Sequence, residues 1–484
     1  MTGATGVGGP HAADLLVVDG DLVTMDGQRR VITGGSLLVE DGRIAAIGPA
    51  DELRAAHPGT PELDARGCVV IPGLVNAHQH TTASPLARST TPDDLDSQVA
   101  VFGWTVPLHE QVTGDDDELA ATLTAAESLT RGVTTVLDVG TVAHPGRVAA
   151  GLRAAGVRGR VGRWGWDVPG ATYAAPAAES LAQQEAAVAE VGTDGLVTGW
   201  VTLVGHNLAS DELFAGAADL ADRLDVGMTW HISPSSDDTR SYLEKTGEAP
   251  VVHLDRLGVL GPRLLLGHAV WLDDAEVDAI LRTGTAVASC PAAYLRLGQG
   301  FTRAGRHTEL IRRGGRVALG CDAHNAGDTP DVFRSAYLLA ALDRDRGTTD
   351  PFRADEAFAA ATIAGAEAVG LGDTIGSLEV GKAADLVVLD GTDLGWAPRG
   401  DLALQLVWGD AGRSVRDVLV DGEVVMRDRV LRRVDAAALA REAADRSAAL
   451  LRRAGIEVPH RWPVTTAGLD RSRQEGARAT GAPA

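Results

Sequence analysis

Short apolar runs that stop at polar residues, each followed by a stretch of helical periodicity, recur along the middle of the chain. They are Val69 to Ile71, Thr134 to Leu137, Arg160 to Trp164, Val197 to Leu203, Gly227 to Trp230, Leu264 to Leu266, Ala286 to Ala288 and Val317 to Leu319. This alternation is the pattern of βα units around a parallel sheet. Between Glu118 and Gly132, for example, Leu119, Leu123, Ala126 and Leu129 share a helix face, and Gly132 stops the helix before the next run. Eight such strands predict an α/β fold of the (β/α)8 TIM barrel type, with chemistry at the C-terminal strand ends.

Both flanks read differently. Leu15 to Val18, Leu22 to Met25, Ser36 to Glu40 and Arg43 to Ile47 are β-prone runs separated by Asp19-Gly20, Asp26-Gly27 and Asp41-Gly42. Asp-Gly tolerates positive φ at both turn positions and so predicts hairpins. The texture returns at Ala384 to Leu389, Val415 to Val420 and Glu423 to Met426, with turns at Asp390-Gly391 and Asp421-Gly422. Ala436 to Arg453 predicts a last helix, and the stretch after Val464 predicts a disordered tail.

Composition narrows the function. The 484 residues carry a net charge of −22, which repels nucleic acid and anionic membranes alike. Cys68, Cys290 and Cys321 lie far apart without a CxxC pair, so no disulfide framework is expected. Met1 to Ala13 has neither the basic start nor the apolar core of a signal peptide, and no apolar run approaches the roughly 20 residues that cross a bilayer. The expectation is a cytoplasmic protein acting on a small molecule, with no nucleic-acid or membrane partner.

The candidate chemistry lies where the apolar runs stop. The first leads into Asn76-Ala77-His78-Gln79-His80, and residues two apart in a strand face the same way, so His78 and His80 point together. Later runs lead into His231, into His268, and into Cys321-Asp322. Imidazoles with one carboxylate and an open position suit Zn²⁺ or Fe²⁺, and such an ion lowers the pKa of a bound water to about 7.

PGLVNAHQH, the strand-end His231, LLGHAVWL and ALGCDAHN resemble the metal motifs of the amidohydrolase superfamily. The likeness is to its branch of triazine hydrolases and of cytosine, guanine and S-adenosylhomocysteine deaminases, and it covers about residues 14–432, including the phrase Gly376 to Val387. The resemblance implies a small β-sandwich from residues 14–72 and 376–432 and a metal-dependent barrel over 73–375; periodicity and composition beyond it give a helix over 433–454 and a largely disordered tail over 455–484. It implies one metal, Zn²⁺ ahead of Fe²⁺, on His78, His80, His231 and Asp322, with His268 orienting the water or polarising the substrate. The stretch Val201 to Ser210 has no lysine to bridge a second metal. A homodimer or larger homo-oligomer is also implied.

The chain departs from that branch after the fifth run. The branch has His-x-x-Glu there, and its glutamate moves a proton to the substrate ring; here the stretch is His231-Ile232-Ser233-Pro234, and proline does neither half of that task. Asp237 or Asp238 reaching back, Asp322 doing all the proton work, and loss of activity are the three explanations; the preferred reading of the two aspartates is a solvated acidic turn. Ser289 stands where the branch has histidine, while Cys290 and Cys321 read as packing residues. His206, Trp104, His324 and Arg296 are candidate substrate contacts, Arg296 and Arg88 as carboxylate holders. Trp164, Trp166 and Trp271 are further candidates for a flat apolar wall, and His109, His144, His253 and His307 read as surface or loop residues.

The leading reading is hydrolysis of a C–N bond in a small, heterocyclic nitrogen compound, deaminase-like, by a metal-activated hydroxide with Asp322 as general base. Cyclic amide, imide or amidine hydrolysis, or dechlorination, is the alternative on the same site. A catalytically silent, metal-retaining binding protein is the alternative from another class.

Overall fold

A computed structural model describes residues 14–140, 143–170, 173–347 and 350–464. Met1 to Ala13 and the predicted tail beyond Val464 lie outside the described residues. Nine strands form one sheet from both ends of the chain: Leu15–Val23, Val31–Glu40, Arg43–Gly48, Glu62–Asp64 and Val69–Pro72 with Leu386–Leu389, Val415–Val420, Glu423–Arg427 and Val430–Leu431. The seam is antiparallel, Leu386 opposite Pro72 through Leu389 opposite Val69. Asp41-Gly42 and Asp421-Gly422 are hairpin tips with positive φ at both residues, as predicted. The tips also touch: a Cβ on Gly422 would come 2.5 Å from Gly42 Cα, so no side chain fits there. Asp19-Gly20 makes no hairpin, because Leu15–Val23 is one strand that absorbs Asp19 at φ 64° through a register shift.

The remaining strands are all parallel. Leu74–Gln79, Val133–Asp138, Arg158–Val161 and Val197–Gly199 pair in one arc. Trp164–Gly165, Val201–Gly205, Met228–Ile232, Leu264–His268, Ala286–Ser289 and Val317–Leu319 pair in a second. A parallel bridge from Gln79 to Asp322 joins the ends of the first and last of these strands. The arcs are buried on both faces, which is why the sequence runs are continuous rather than alternating.

One expectation is corrected here. Val69 to Ile71 is not the first parallel strand; it belongs to the nine-stranded sheet, and Leu74–Gln79 takes that place. The chain crosses between sheets at Gly73, where a Cβ would lie 2.0 Å from Thr134 Oγ1.

The helix Gly114–Thr130 opens on a capping box of Thr113 and Asp116. The last helix spans Ala436–Arg453, as predicted, and docks on it: Arg446 and Arg453 reach the buried Asp116 carboxylate at 3.1 and 2.6 Å. Residues 455–464 follow as irregular chain, with Arg461 paired to Asp93 and Asp94. Among the described residues no helix is long and apolar enough to cross a membrane.

Candidate metal centre and substrate cavity

His78 and the Gln79 that follows it end the first parallel strand, His231 lies in Met228–Ile232 and His268 ends Leu264–His268. Asp322 follows the last, two residues past Gly320. Their side chains meet. His80 Nε2 lies 3.3 Å from His231 Nε2 and 3.4 Å from Asp322 Oδ1, and His78 Nε2 lies 3.9 Å from the same oxygen. The His268 ring centroid is 4.7 Å from that of His78 and 5.1 Å from that of His231. Glycine makes this convergence possible: a Cβ on Gly267 would stand 2.6 Å from His78 Cε1, and one on Gly320 2.7 Å from His78 Cβ.

The donor set fits a divalent metal. Both ring nitrogens of His78 and Nδ1 of His268 are buried without a hydrogen-bond partner, a costly arrangement unless an ion or ligand takes them. His231 Nδ1 donates to Val204 O, which leaves Nε2 as a free lone pair facing His80. Burial holds the imidazoles of His78, His80 and His268 well below their ordinary pKa, and His231 at about 4, so all four are neutral ligand-type nitrogens at pH 7. Burial also pushes the Asp322 carboxyl up to about 6, a cost that a dication beside it would remove.

Backbone strain concentrates at the same place. Ser233, His268, Ala269 and Asp322 all have φ between 46° and 74°, a region that residues other than glycine seldom occupy. Supporting groups hold it. Gln79 Nε2 donates to Asp322 O at 2.5 Å, and Asn76 Oδ1 accepts from Cys321 N at 3.1 Å. His307 Nε2 donates to His268 O at 2.7 Å while its Nδ1 accepts from Ser289 Oγ. His307 is thus a buried brace beneath His268, not the surface residue expected; the serine in place of the branch's histidine supplies its partner. His109 and His253 are buried too, against the same expectation. Asp138, at the end of the second strand, went unnoticed in the sequence; it accepts from Thr81 N, Thr81 Oγ1 and Gly140 N, and burial pushes its carboxyl up to about 7.

A cavity of about 540 Å³ opens over His80, His231, His268 and Asp322, within the usual range for small-molecule sites. Trp164 and Trp166 line it, as does His206, whose Nδ1 donates to His231 O at 3.4 Å. Pro234 is on the wall, and so are both aspartates after it. They differ: the Asp237 side chain is 62% exposed and pairs with Arg240, whereas Asp238 is 19% exposed, held by Asn207 Nδ2 at 2.6 Å, with Oδ1 3.8 Å from His206 Nε2. Asp237 is solvated as expected, though in the helix Ser236–Thr246 rather than a turn, and the solvated reading is corrected for Asp238.

Three expected substrate contacts stand off the wall. His324 turns to Glu127 and Gln79, Arg296 donates to Thr91 O near Asp328, and Trp104 is half-buried on the turn Val101–Thr105. Trp271 is likewise engaged elsewhere, donating to Gln299 O. His324, Arg296 and Trp271 each face a partner from elsewhere in the chain that no periodicity reveals. Arg88 pairs with Glu127. Cys290 and Cys321 are buried, their thiols pushed up by desolvation and kept protonated, as packing residues require.

Residues 69–425 match the amidohydrolase family model, and a short stretch, 37–59, matches an imidazolonepropionase-like composite domain of bacteria. The chain is 33% identical over 425 residues to a 5-methylthioadenosine/S-adenosylhomocysteine deaminase of Syntrophobacter fumaroxidans, covering 87% of this chain and 95% of that one. It is 31% identical over 424 residues to the protein of that name in Symbiobacterium thermophilum, covering 86% and 94%. An adenosine deaminase of Xanthomonas campestris with bound zinc superposes with a TM-score of 0.84 at 29% identity, over 91% of this chain and all of the other. The zinc complex of an atrazine chlorohydrolase from Arthrobacter aurescens, at TM-score 0.82 and 21% identity over 90% of this chain and 100% of that one, shares the fold. The chain therefore belongs to the amidohydrolase family and is a metal-dependent C–N hydrolase of the deaminase type.

Proposed function

We propose that this protein removes an amine by hydrolysis from a planar N-heterocycle, a purine nucleoside being the first class to test. The metal is one Zn²⁺ held by His78, His80, His231 and Asp322. The observation that carries the reading is the set of neutral, buried ring nitrogens without protein partners around Asp322 at the cavity floor. A zinc ion there would supply Lewis-acid polarisation and a water acidic enough to ionise near pH 7.

The chain's own residues do the rest. Asp322, strained in place by Gln79 and oriented by Ala323 N, accepts the proton of the attacking water. His268, braced by His307, directs a ring nitrogen at the developing oxyanion. Trp164 and Trp166 hold the ring by its faces. Asp238 stands on the wall that Pro234 shares, and its carboxylate, steadied by Asn207, takes a proton from solvent and relays it to the ring nitrogen in place of the branch's glutamate, while Asp322 returns the water's proton to the leaving amine.

The same reading takes the parallel arcs as one (β/α)8 barrel over 73–375 and the nine-stranded sheet as a β-sandwich from 14–72 and 376–432. Helix 433–454, a homo-oligomer, Zn²⁺ rather than Fe²⁺ and a cytoplasmic setting belong to it too. A second reading, cyclic amide, imide or amidine hydrolysis or dechlorination, is favoured by Pro234, because such substrates do not all need a protonated ring. The test is metal analysis of the purified protein with an ammonia-release screen over purines, pyrimidines, triazines and cyclic amides. Zinc near one equivalent with ammonia from a heterocyclic amine supports the first reading; ring opening without ammonia, or chloride release, supports the second; zinc with no turnover at all leaves a silent metal-retaining protein.

A further inference from the structure

Away from the metal ligands one stretch of the cavity wall is apolar and exposed. Val101 and Phe102 line it while remaining 38% and 53% exposed, on a single π-helical turn. Leu208 and Leu297 extend the same surface. Exposed apolar side chains grouped at the mouth of a cavity are ordinarily covered by a ligand.

Charge on that wall has one sign. Among the described residues lining the cavity there is no lysine or arginine, whereas Asp237 and Asp238 are both present. The guanidiniums on neighbouring loops are engaged: Arg88 by Glu127, Arg296 by Thr91 O and Asp328. An anionic group entering here would lose water, gain no cation and meet two carboxylates, each of which weakens binding.

We propose that the site selects heterocycles bearing an uncharged, apolar substituent, seated against Val101 and Phe102, and discriminates against substituents that end in a carboxylate or phosphate. The proposal rests on the heterocycle reading above and adds what the ring carries. Calorimetric titration of the zinc-loaded full chain with three adenosine derivatives tests it: 5′-methylthioadenosine, neutral and apolar; 5′-deoxy-5′-(carboxymethylthio)adenosine, which ends in a carboxylate with no ammonium beside it; and adenosine 5′-monophosphate. The first is expected to bind at least tenfold more tightly than either of the others. Phe102→Arg, which places a cation on the rim, should shrink or invert that ratio. Equal or tighter binding of the two anion-bearing compounds, no binding of any of the three, or a ratio unmoved by Phe102→Arg overturns it. Ammonia release measured on the same samples separates the two ideas. Tight, selective binding without ammonia leaves the selectivity standing and sinks the deaminase reading, whereas equal turnover of all three does the reverse.

Discussion

At the base of the parallel strands Arg158 is almost buried, and its guanidinium forks onto Asp385 at 2.8 and 3.0 Å and reaches Asp421 at 2.9 Å. At the opposite mouth His78 is equally buried, yet neither of its ring nitrogens has a partner, and burial keeps the ring neutral. Both regions place polar groups where water cannot reach. At the base desolvation is outweighed by two carboxylates, and Arg158 is held above its ordinary pKa; the result fastens the arcs to the nine-stranded sheet. At the mouth the polar groups satisfy one another incompletely, and strained residues keep them so. Buried polarity that is complete serves the fold, and buried polarity left incomplete awaits a ligand.

Substitutions can sharpen or break that contrast. Asp322→Asn should have the largest effect: turnover falls by more than the 10²–10⁴-fold of a lost general base, because a metal ligand changes as well, while thermal unfolding of the metal-free protein moves little. A variant retaining a tenth of wild-type kcat would end the assignment of Asp322. Arg158→Met should show the opposite profile, losing about 3–5 kcal/mol in denaturant unfolding through the unpaired Asp385, with kcat of the folded fraction kept.

A smaller effect separates the two aspartates beyond Pro234. Asp238→Asn should lower kcat by about 10²-fold at unchanged zinc content, and Asp237→Asn by less than about twofold. Equal responses would return both to the solvated reading. The smallest effect concerns His109, which lines the cavity and has no hydrogen-bond partner on either nitrogen; burial holds it at about 4, below the ordinary 6.5. A histidine lowered in the folded state stabilises fully above pH 6.5 and loses that contribution as pH falls toward 4. Thermal melts should therefore show His109→Phe flattening the acid limb between pH 7.5 and 5 by on the order of 1 kcal/mol. An unchanged acid limb would mean that other groups govern it.

Much of this protein was legible in one dimension, for reasons that are local. Apolar runs ending in His231 or His268 mark parallel strands and their chemical ends, because a strand buried on both faces has no polar position until it emerges. The tips at Asp41-Gly42 and Asp421-Gly422 follow from backbone φ preference, and the last helix from its periodicity. What tertiary structure alone decided are relations between distant residues. That Val69–Pro72 pairs with Leu386–Leu389 rather than opening the parallel set depends on a partner over 300 residues away, and no local pattern encodes it. Likewise nothing near His307 in the chain tells that it braces His268, nor near His324 and Arg296 that Glu127 and Asp328 turn them from the cavity. Asp237 and Asp238 are adjacent, chemically identical and both on the cavity wall; Asn207, brought alongside from the preceding strand's end, holds one largely buried while the other stays exposed, since side-chain fate there is set by packing across strands and not by residue type.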